Sequence, residues 1–375
     1  MTICLKDILD YDLLQKHLVN GVVRRQVHPQ YPNLFVYNYT EQAQFERIWD
    51  NVTNVCRGLI VADDCVIARG FNKFHNLNTE FAPETMEANL PKIAPLVTEK
   101  LDGSMGIQYV WDDKIWVATR GSFASEQAIW ATDWLRKHYA EDSNYYWAHR
   151  AESPDWTMLF EIIYAENRIV VDYDFEGLIV IGLVRVSTGE EADRHLLEAV
   201  AYQNGLDVVR RFDKSLAECA AENNLNEEGY VLTYSLGENV PPLKVKMKFV
   251  EYCRLHRILT GLNPRAIWEM LSDNQNEAID LILNDEKMPT EFKHWFNGWV
   301  LQLRQDFVTI TTRATKIFLS RPQTGIRKDV ALYFLQTAQD ISSVLFAMLD
   351  GKDVSPIVWD KIRPKATDTF KQEEA

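Results

Sequence analysis

One lysine in this chain has the surroundings of a covalent nucleophile. Lys100 lies in the stretch Thr98 to Ser104, between an apolar, proline-containing approach and an Asp-Gly turn. The alternating run from Met105 to Val110 that follows is typical of a strand. A lysine amine becomes nucleophilic when burial or a cationic neighbour lowers its pKa. The pattern therefore predicts a reactive amine at the mouth of a pocket; the alternative is a solvated lysine beside a turn.

Further basic residues interrupt apolar segments, where a charged side chain is costly to bury unless it has a partner or a function. They are Arg57, Lys73, Arg120, Lys244, Lys246 and Lys248. The last three alternate along one predicted strand, so their side chains share a face. Such a face can bind phosphates and lower the pKa of a neighbouring lysine. The alternative is the solvated side of an edge strand, where lysines are common.

Two glutamates lie in or beside apolar strands. Glu161 is inside the run Leu159 to Tyr164, and Glu228 precedes Gly229. A buried glutamate is costly unless it pairs with a cation or binds a metal. Because Mg²⁺ combines a few carboxylates with phosphate oxygens, these residues predict Mg²⁺, with Mn²⁺ as an alternative, and a nucleoside triphosphate. The simpler interpretation places each glutamate on the wet face of its strand.

Other chemistries lack their motifs. The chain has no GxxxxGK[ST] or GxGxxG phosphate loop, and no HExxH or paired CxxC for zinc. The five scattered cysteines favour reduced thiols in a cytoplasm. No leader peptide and no apolar run of the ~20 residues that a membrane span needs is visible. The net charge of −14 means that any contact with nucleic acid must be local.

The spacing of apolar residues predicts an α+β fold with antiparallel sheets in the first two thirds of the chain. We expect helices at 8–20, 41–50, 123–140 and 194–205. We expect strands at 33–39, 56–62, 65–70, 105–110, 115–119, 158–164, 178–184, 230–234 and 243–249, the second and third forming a hairpin around Asp63-Asp64.

The last third is predicted to be all-helical. Helical spacing recurs in 265–283, 291–318 and 329–349. Residues 253–375 hold 16 of the 40 Lys and Arg and 16 of the 54 Asp and Glu, so the whole negative excess lies before them. We therefore predict two domains, 1–252 and 253–375.

Taken in order, these segments resemble the motifs of the covalent nucleotidyltransferases, and in particular the first type of T-even phage RNA ligase. Lys100-Leu101-Asp102-Gly103 resembles motif I of that superfamily. The other matching segments are Cys56-Arg57-Gly58, Phe71 to Asn76, Thr119 to Ser122, Leu159-Phe160-Glu161 with Asn167 to Val170 (motif III), Glu228 to Val231 (motif IV) and a Lys-x-Lys pair (motif V). The pair is Lys244 with Lys246 or Lys246 with Lys248, and the segment from Tyr252 to Arg257 favours the second. In this chain His75 stands where a phenylalanine is common, and Arg120 replaces a lysine.

The resemblance implies a nucleotidyltransferase (ATP-grasp-like) ligase domain followed by a helical domain that is associated with tRNA in the phage enzyme. It implies that Lys100, Lys246 and Lys248 are catalytic and that Glu161 and Glu228 bind the metal. Nucleotide contacts are implied for Tyr39, Arg57, Lys73, Glu99, Arg120, Glu161, Val231 and Lys244.

The implied activity is an ATP-dependent RNA ligase, a monomer without membrane association, acting in the cytoplasm or in a host's cytoplasm if the source is a virus. It would join 5′-phosphate and 3′-hydroxyl RNA ends, those of a cleaved tRNA among the candidates, through lysine–AMP and RNA-adenylate intermediates. The alternatives are a DNA nick-sealing ligase or a capping-type guanylyltransferase, both of which place a β-barrel after motif V, and a non-catalytic module that only binds polyphosphate or RNA.

Overall fold

The computed structural model describes residues 3–141, 155–365 and 369–370. The strands within these residues are β1 Val23–Val27, β2 Leu34–Tyr39, β3 Arg57–Ala62, β4 Cys65–Ala68, β5 His75–Asn76, β6 Leu96–Lys100, β7 Ser104–Trp111, β8 Lys114–Ala118, β9 Trp156–Ile163, β10 Gly177–Arg185, β11 Asp207–Val208, β12 Arg211–Phe212, β13 Gly229–Tyr234 and β14 Leu243–Lys248. The helices are α1 Leu5–Ile8, α2 Tyr11–Val19, α3 Glu41–Glu46, α4 Asn51–Val55, α5 Glu126–Glu141, α6 Arg194–Gln203, α7 Leu216–Ala221, α8 Val250–Gly261, α9 Pro264–Ser272, α10 Asn276–Asn284, α11 Thr290–Leu319, α12 Arg327–Ala338, α13 Ser342–Leu349 and α14 Ser355–Lys361.

The strands form three sheets. The first sheet has the order β1-β2-β3-β4, the second β11-β10-β9-β7-β8, and the third β12-β6-β13-β14-β5. Pairing is antiparallel except for β10 with β11 and β14 with β5. The α+β prediction with antiparallel sheets is therefore confirmed.

The first two sheets pack face to face around a shared core. Val36 and Ile60 of the first sheet meet Ile107 and Leu159 of the second, all fully or almost fully buried. The other face of the second sheet is covered by α5 and α6. Since β7 and β9 are thereby buried on both sides, the strands that follow Lys100 and carry Glu161 are held rigidly.

The chain divides into two compact units, the first ending at Arg254 and the second beginning at Leu255. The predicted boundary follows Tyr252. In the described part of the second unit every regular element is helical, and α11 is its longest helix, with 30 residues. Phe334, Val344 and Leu345 form the centre of its core. None of the helices in the described residues combines the length and the apolar character that crossing a bilayer requires.

Several predicted elements are confirmed, and others are broken where the backbone turns. Asp63 and Asp64 both have positive φ (47° and 62°), which is the geometry of a tight hairpin turn. The prediction of one helix over 41–50 is wrong, because Arg47 adopts a left-handed conformation at the end of α3 and Asp50 caps α4. The helical spacing over 265–283 and over 329–349 does correspond to helix, but each range holds two α-helices rather than one. The first is interrupted at Asn274, which has φ 56°, and the second by the 3-10 turn Gln339–Ile341.

The strand pair that carries Glu228 depends on a glycine. Gly229, the first residue of β13, has φ +146°, and a Cβ atom there would lie 1.9 Å from the carbonyl oxygen of Met247. We expect Gly229→Ala to lower the free energy of unfolding by about 3 kcal/mol or more, because strain and a backbone clash add. Urea unfolding followed by circular dichroism measures the change. Gly177→Ala is the control, since Gly177 begins β10 with its nearest atom at 3.4 Å. Equal unfolding midpoints for the two variants would contradict the expectation.

Candidate active site

Lys100 is the last residue of a strand and is held in a bridged ion pair. Lys100 ends β6 and still pairs with Gly229 in the third sheet, so the turn that follows begins only at Leu101. Its Nζ lies 2.6 Å from one carboxylate oxygen of Glu228, whose other oxygen lies 2.9 Å from Nζ of Lys248. Only 3% of the Glu228 side chain is exposed, so this carboxylate is neutralised by two lysines.

The turn after Lys100 is fixed by hydrogen bonds. The buried Asp102 carboxylate accepts the backbone N–H groups of Val170 and Val171 at 2.8 and 2.9 Å and the hydroxyl of Tyr252 at 2.7 Å. Gly103 donates its N–H to Glu161 Oε1 at 3.0 Å. These four contacts hold the lysine-bearing strand end in one position.

Glu161 lies on β9, is partly exposed, and faces Lys100 and Gly103. Burial raises its pKa to about 8; Lys100 opposes this shift and Glu228 adds to it. A further cation beside this carboxyl group would therefore stabilise its ionised form. For Glu228 the wet-face interpretation is wrong, because its side chain is buried between the two lysines.

The pKa of Lys100 is raised, whereas the sequence predicted that it would be lowered. Burial lowers the pKa of Lys100, but Glu228 and Glu161 outweigh burial and hold it above the ordinary value. The lowering was assigned to Lys246 and Lys248 acting together with Mg²⁺, and Lys248 is engaged with Glu228. It is Lys246 whose pKa falls well below the ordinary value, because it is buried and faces Lys100 and other cations.

The three lysines of β14 have different surroundings. Over Val245 and Lys246, β14 is flanked by β13 and β5, so the edge-strand interpretation is wrong there. Lys244 is directed to Glu191, 2.6 Å away, under the ring of Phe71. Among the described residues Lys246 has no carboxylate partner, and its Nζ lies 4.9 Å from the ring centroid of Phe74. The structure thus groups Lys246 and Lys248 with Lys100 and separates Lys244 from them.

A cluster of cations surrounds the hydroxyl of Tyr39. This oxygen accepts hydrogen bonds from Lys73 Nζ and Arg120 Nη1, each at 3.2 Å. Arg57 lies nearby, with Nη1 3.2 Å from the sulfur of Met105. Burial raises the pKa of Tyr39, but Arg57, Arg120 and Lys73 outweigh burial and lower it to about 8. Four residues predicted to contact the nucleotide are therefore brought together in a site suited to an anion.

This cluster gives an optical test. The pKa of Tyr39 is about 8 in the folded protein and about 10 in the unfolded chain. Its ionised form therefore stabilises the folded protein in full above pH 10, and this contribution is lost as the pH falls through 8. We expect difference absorbance at 295 nm to show one tyrosine that ionises near pH 8. This titration step should be missing in Tyr39→Phe. Inorganic triphosphate should raise that pKa by adding negative charge. A Tyr39→Phe titration identical to that of the unaltered protein would reject the assignment.

Two more predicted contacts lie on opposite faces of the third sheet. Val231 pairs laterally with Thr98 and Lys246 and so shares the face of Lys100. Glu99 pairs with Tyr230 on the other face, and its carboxylate lies 3.5 Å from Arg210 Nε. The side chain of Glu99 is therefore turned away from Lys100, because alternate residues of a strand point to opposite sides.

Sequence reasoning assigned no role to Tyr252 or to the amides of Val170 and Val171, although they fix Asp102. Val170 and Tyr252 lie in segments that resemble the family motifs and Val171 follows directly, but only the fold shows that they meet the Lys100 turn. Tyr173 was not singled out, although its hydroxyl accepts the N–H of Asp102 at 2.7 Å.

The residues at Lys100 fit a metal bound together with phosphate. The described part of the chain contains no cluster of three or more His, Cys, Asp or Glu side chains that could hold an ion without further ligands. Glu161 and Glu228 both face Lys100, and Mg²⁺ commonly takes one or two carboxylates and completes its shell with water and phosphate oxygens. The raised pKa of Glu161 is the property that a cation would reverse.

The site thus combines two features. A lysine at the end of a strand faces two carboxylates, and a separate cluster of cations is suited to bind an anion. A family model described as RNA ligase matches residues 55–252, which include Lys100, Glu161, Glu228, Lys246 and Lys248. The chain belongs to this T4-type RNA ligase family.

Individual relatives agree with the family. An RNA ligase of Rhodothermus phage RM378 is 23% identical over 383 residues, covering 86% of each chain. A Thermovibrio ammonificans protein that is named provisionally as an RNA ligase is 31% identical over 205 residues, covering 53% of this chain and 51% of that protein. The chain thus spans about half the length of the second relative. An archaeal ATP-dependent RNA ligase structure covers 92% of this chain and 96% of its own, with 14% identity and a TM-score of 0.44.

Proposed function

We propose that this protein is an ATP-dependent RNA ligase that joins a 5′-phosphate to a 3′-hydroxyl. The observation that carries the proposal is the bridged pair, in which Glu228 contacts both Lys100 and Lys248 on the sheet face that also bears Lys246. Family membership supports the same reaction class. ATP and a divalent ion such as Mg²⁺ or Mn²⁺ are the cofactors that we propose, because Glu161 and Glu228 face Lys100 and such ions combine one or two carboxylates with phosphate oxygens.

In the first step Nζ of Lys100, after releasing a proton, attacks the α-phosphorus of ATP. The N–P bond forms while the bond to the bridging oxygen breaks, and pyrophosphate leaves. Lys246 and Lys248 stabilise the charge that develops on the phosphoryl oxygens. Tyr39, Arg57, Lys73 and Arg120 hold the β- and γ-phosphates, and Val231 packs against the adenine. A bound Mg²⁺, held by Glu161 and Glu228, would supply further positive charge at the phosphates.

In the second step an oxygen of the RNA 5′-phosphate attacks the lysine adenylate, which releases the lysine and leaves AMP on the RNA end. In the third step the 3′-hydroxyl attacks the RNA phosphorus of that pyrophosphate, forms the phosphodiester and expels AMP. A cleaved tRNA is one substrate that would present both ends. We infer that the enzyme works as a monomer in the cytoplasm, or in a host's cytoplasm if its source is a virus.

Labelled nucleotides test the proposal against its alternatives. The protein is incubated separately with α-³²P-ATP and α-³²P-GTP, and then with 5′-phosphorylated single-stranded RNA or nicked DNA. We expect a covalent adduct with ATP and circular RNA as the product. An adduct with GTP alone would indicate a capping-type enzyme, and sealing of nicked DNA alone a DNA ligase. No adduct with either nucleotide would leave only a binding module.

A further inference from the structure

A row of aromatic rings leads from the cation cluster to the surface of the first unit. The ring of Tyr39 contacts Trp49 at a centroid distance of 5.1 Å. Trp49 contacts His75 at 5.3 Å, and His75 contacts Phe81, also at 5.3 Å. Phe81 is 41% exposed. We call Trp49, His75 and Phe81 the aromatic track. The active site described above uses none of its three rings.

Cations lie against both ends of the aromatic track. Lys73 Nζ is 4.6 Å from the ring centroid of Trp49, and the guanidinium of Arg47 is 4.8 Å from that of Phe81. Neither Arg47 nor Lys73 forms an ion pair with a carboxylate of the described residues.

The track also holds an unused hydrogen-bond donor. The indole Nε1 of Trp49 is buried and has no acceptor among the described residues. A buried donor without an acceptor is uncommon and indicates a missing partner. The exposed ring of Phe81 and the guanidinium of Arg47 against it, which no carboxylate of the described residues holds, fit a ligand that has both flat rings and anionic oxygens.

We propose that the aromatic track binds single-stranded RNA next to the end that is being joined, with a base against Phe81 and phosphates near Arg47 and Trp49. This inference rests on the proposed function, because it names where the RNA of that reaction lies. Bases of a single strand are free to stack on aromatic side chains, and arginine adds a contact to phosphate or to the ring. Paired bases in a duplex would not offer their faces in this way.

Binding and adenylylation are measured separately on the full chain. The probe is a 5′-phosphorylated single-stranded RNA of about 12 nucleotides with a 3′ fluorophore, a length matched to typical single-strand sites. We expect Phe81→Ala and Arg47→Ala to weaken its binding, seen as fluorescence anisotropy, by about tenfold each. Phe81→Tyr should restore binding. The rate and KM of adduct formation with ATP should stay within twofold of the unaltered protein, roughly the spread of surface substitutions.

Phe45→Ala is the matched control. Phe45 lies on α3 close to Arg47 in the chain, is 90% exposed, and makes no ring contact among the described residues. Binding by this variant should be unchanged. The inference is overturned if Phe81→Ala and Arg47→Ala bind the RNA normally, if they raise the KM for ATP instead, or if a duplex of the same sequence binds with the same sensitivity to both changes. If the proposed function itself were wrong, the unaltered protein would form no covalent adduct with ATP, which is a different result from any of these.

Discussion

Replacing Lys100 by alanine is expected to abolish transfer of label from α-³²P-ATP to the protein, a loss of at least about 1,000-fold. No neighbouring group can replace a covalent nucleophile, and the nearest lysines differ in their surroundings. Lys248 is paired with Glu228, and Lys246 lies beside Phe74. The adduct is measured by gel autoradiography after denaturation.

Two comparisons make this result specific. Lys100→Arg keeps a positive charge beside Glu228 and should be as inactive in labelling as the alanine variant. Because the third step does not use the lysine as a nucleophile, both variants should retain measurable sealing of RNA that already carries AMP at its 5′ end. Persistent labelling of either variant would show that the nucleophile is another residue.

Lys246→Ala should lower adduct formation by about 100- to 1,000-fold, the usual effect of removing one group that stabilises transition-state charge. The reason is its position on the face of Lys100, without a carboxylate partner among the described residues. Circular dichroism should stay unchanged, since no ion pair is lost. Labelling at the normal rate would reject the role of Lys246 in catalysis.

Lys244 provides the matched control two residues away on the same strand. Lys244→Met leaves Glu191, whose side chain is only 15% exposed, without its partner. We therefore expect a loss of stability of about 3 kcal/mol or more, seen in urea unfolding, with labelling by the folded fraction retained. Loss of labelling at unchanged stability would instead make Lys244 a nucleotide contact, as the sequence predicted.

The contrast between these lysines shows how far the sequence could lead. Alternation along β14 was enough to predict that Lys244, Lys246 and Lys248 share a face. The partners of Lys244 and Lys248 were not predictable, because the sequence does not show which segments lie beside β14. Glu191 follows β10 of the second sheet, and Glu228 directly precedes β13, which pairs with β14. The motifs brought the right residue types to the site; the fold decided which of them touch.

The same limit explains the element and pKa errors. Strand β6 was not among the predicted strands, because the stretch before the Asp-Gly turn was interpreted only as an apolar, proline-containing approach. The pKa of Lys100 was predicted to fall because its cationic neighbours were visible in the sequence. Its rise depends on the 2.6 Å contact with Glu228, which no spacing rule reports.

The contact between Lys100 and Glu228 also affects how readily small electrophiles modify the Lys100 amine. An amine with a raised pKa persists as an ammonium ion, which has no lone pair to offer to carbonyl, cyanate or acylating reagents. Without nucleotide, Lys100 is therefore a masked group, less open to stray covalent damage than a lysine with a lowered pKa would be.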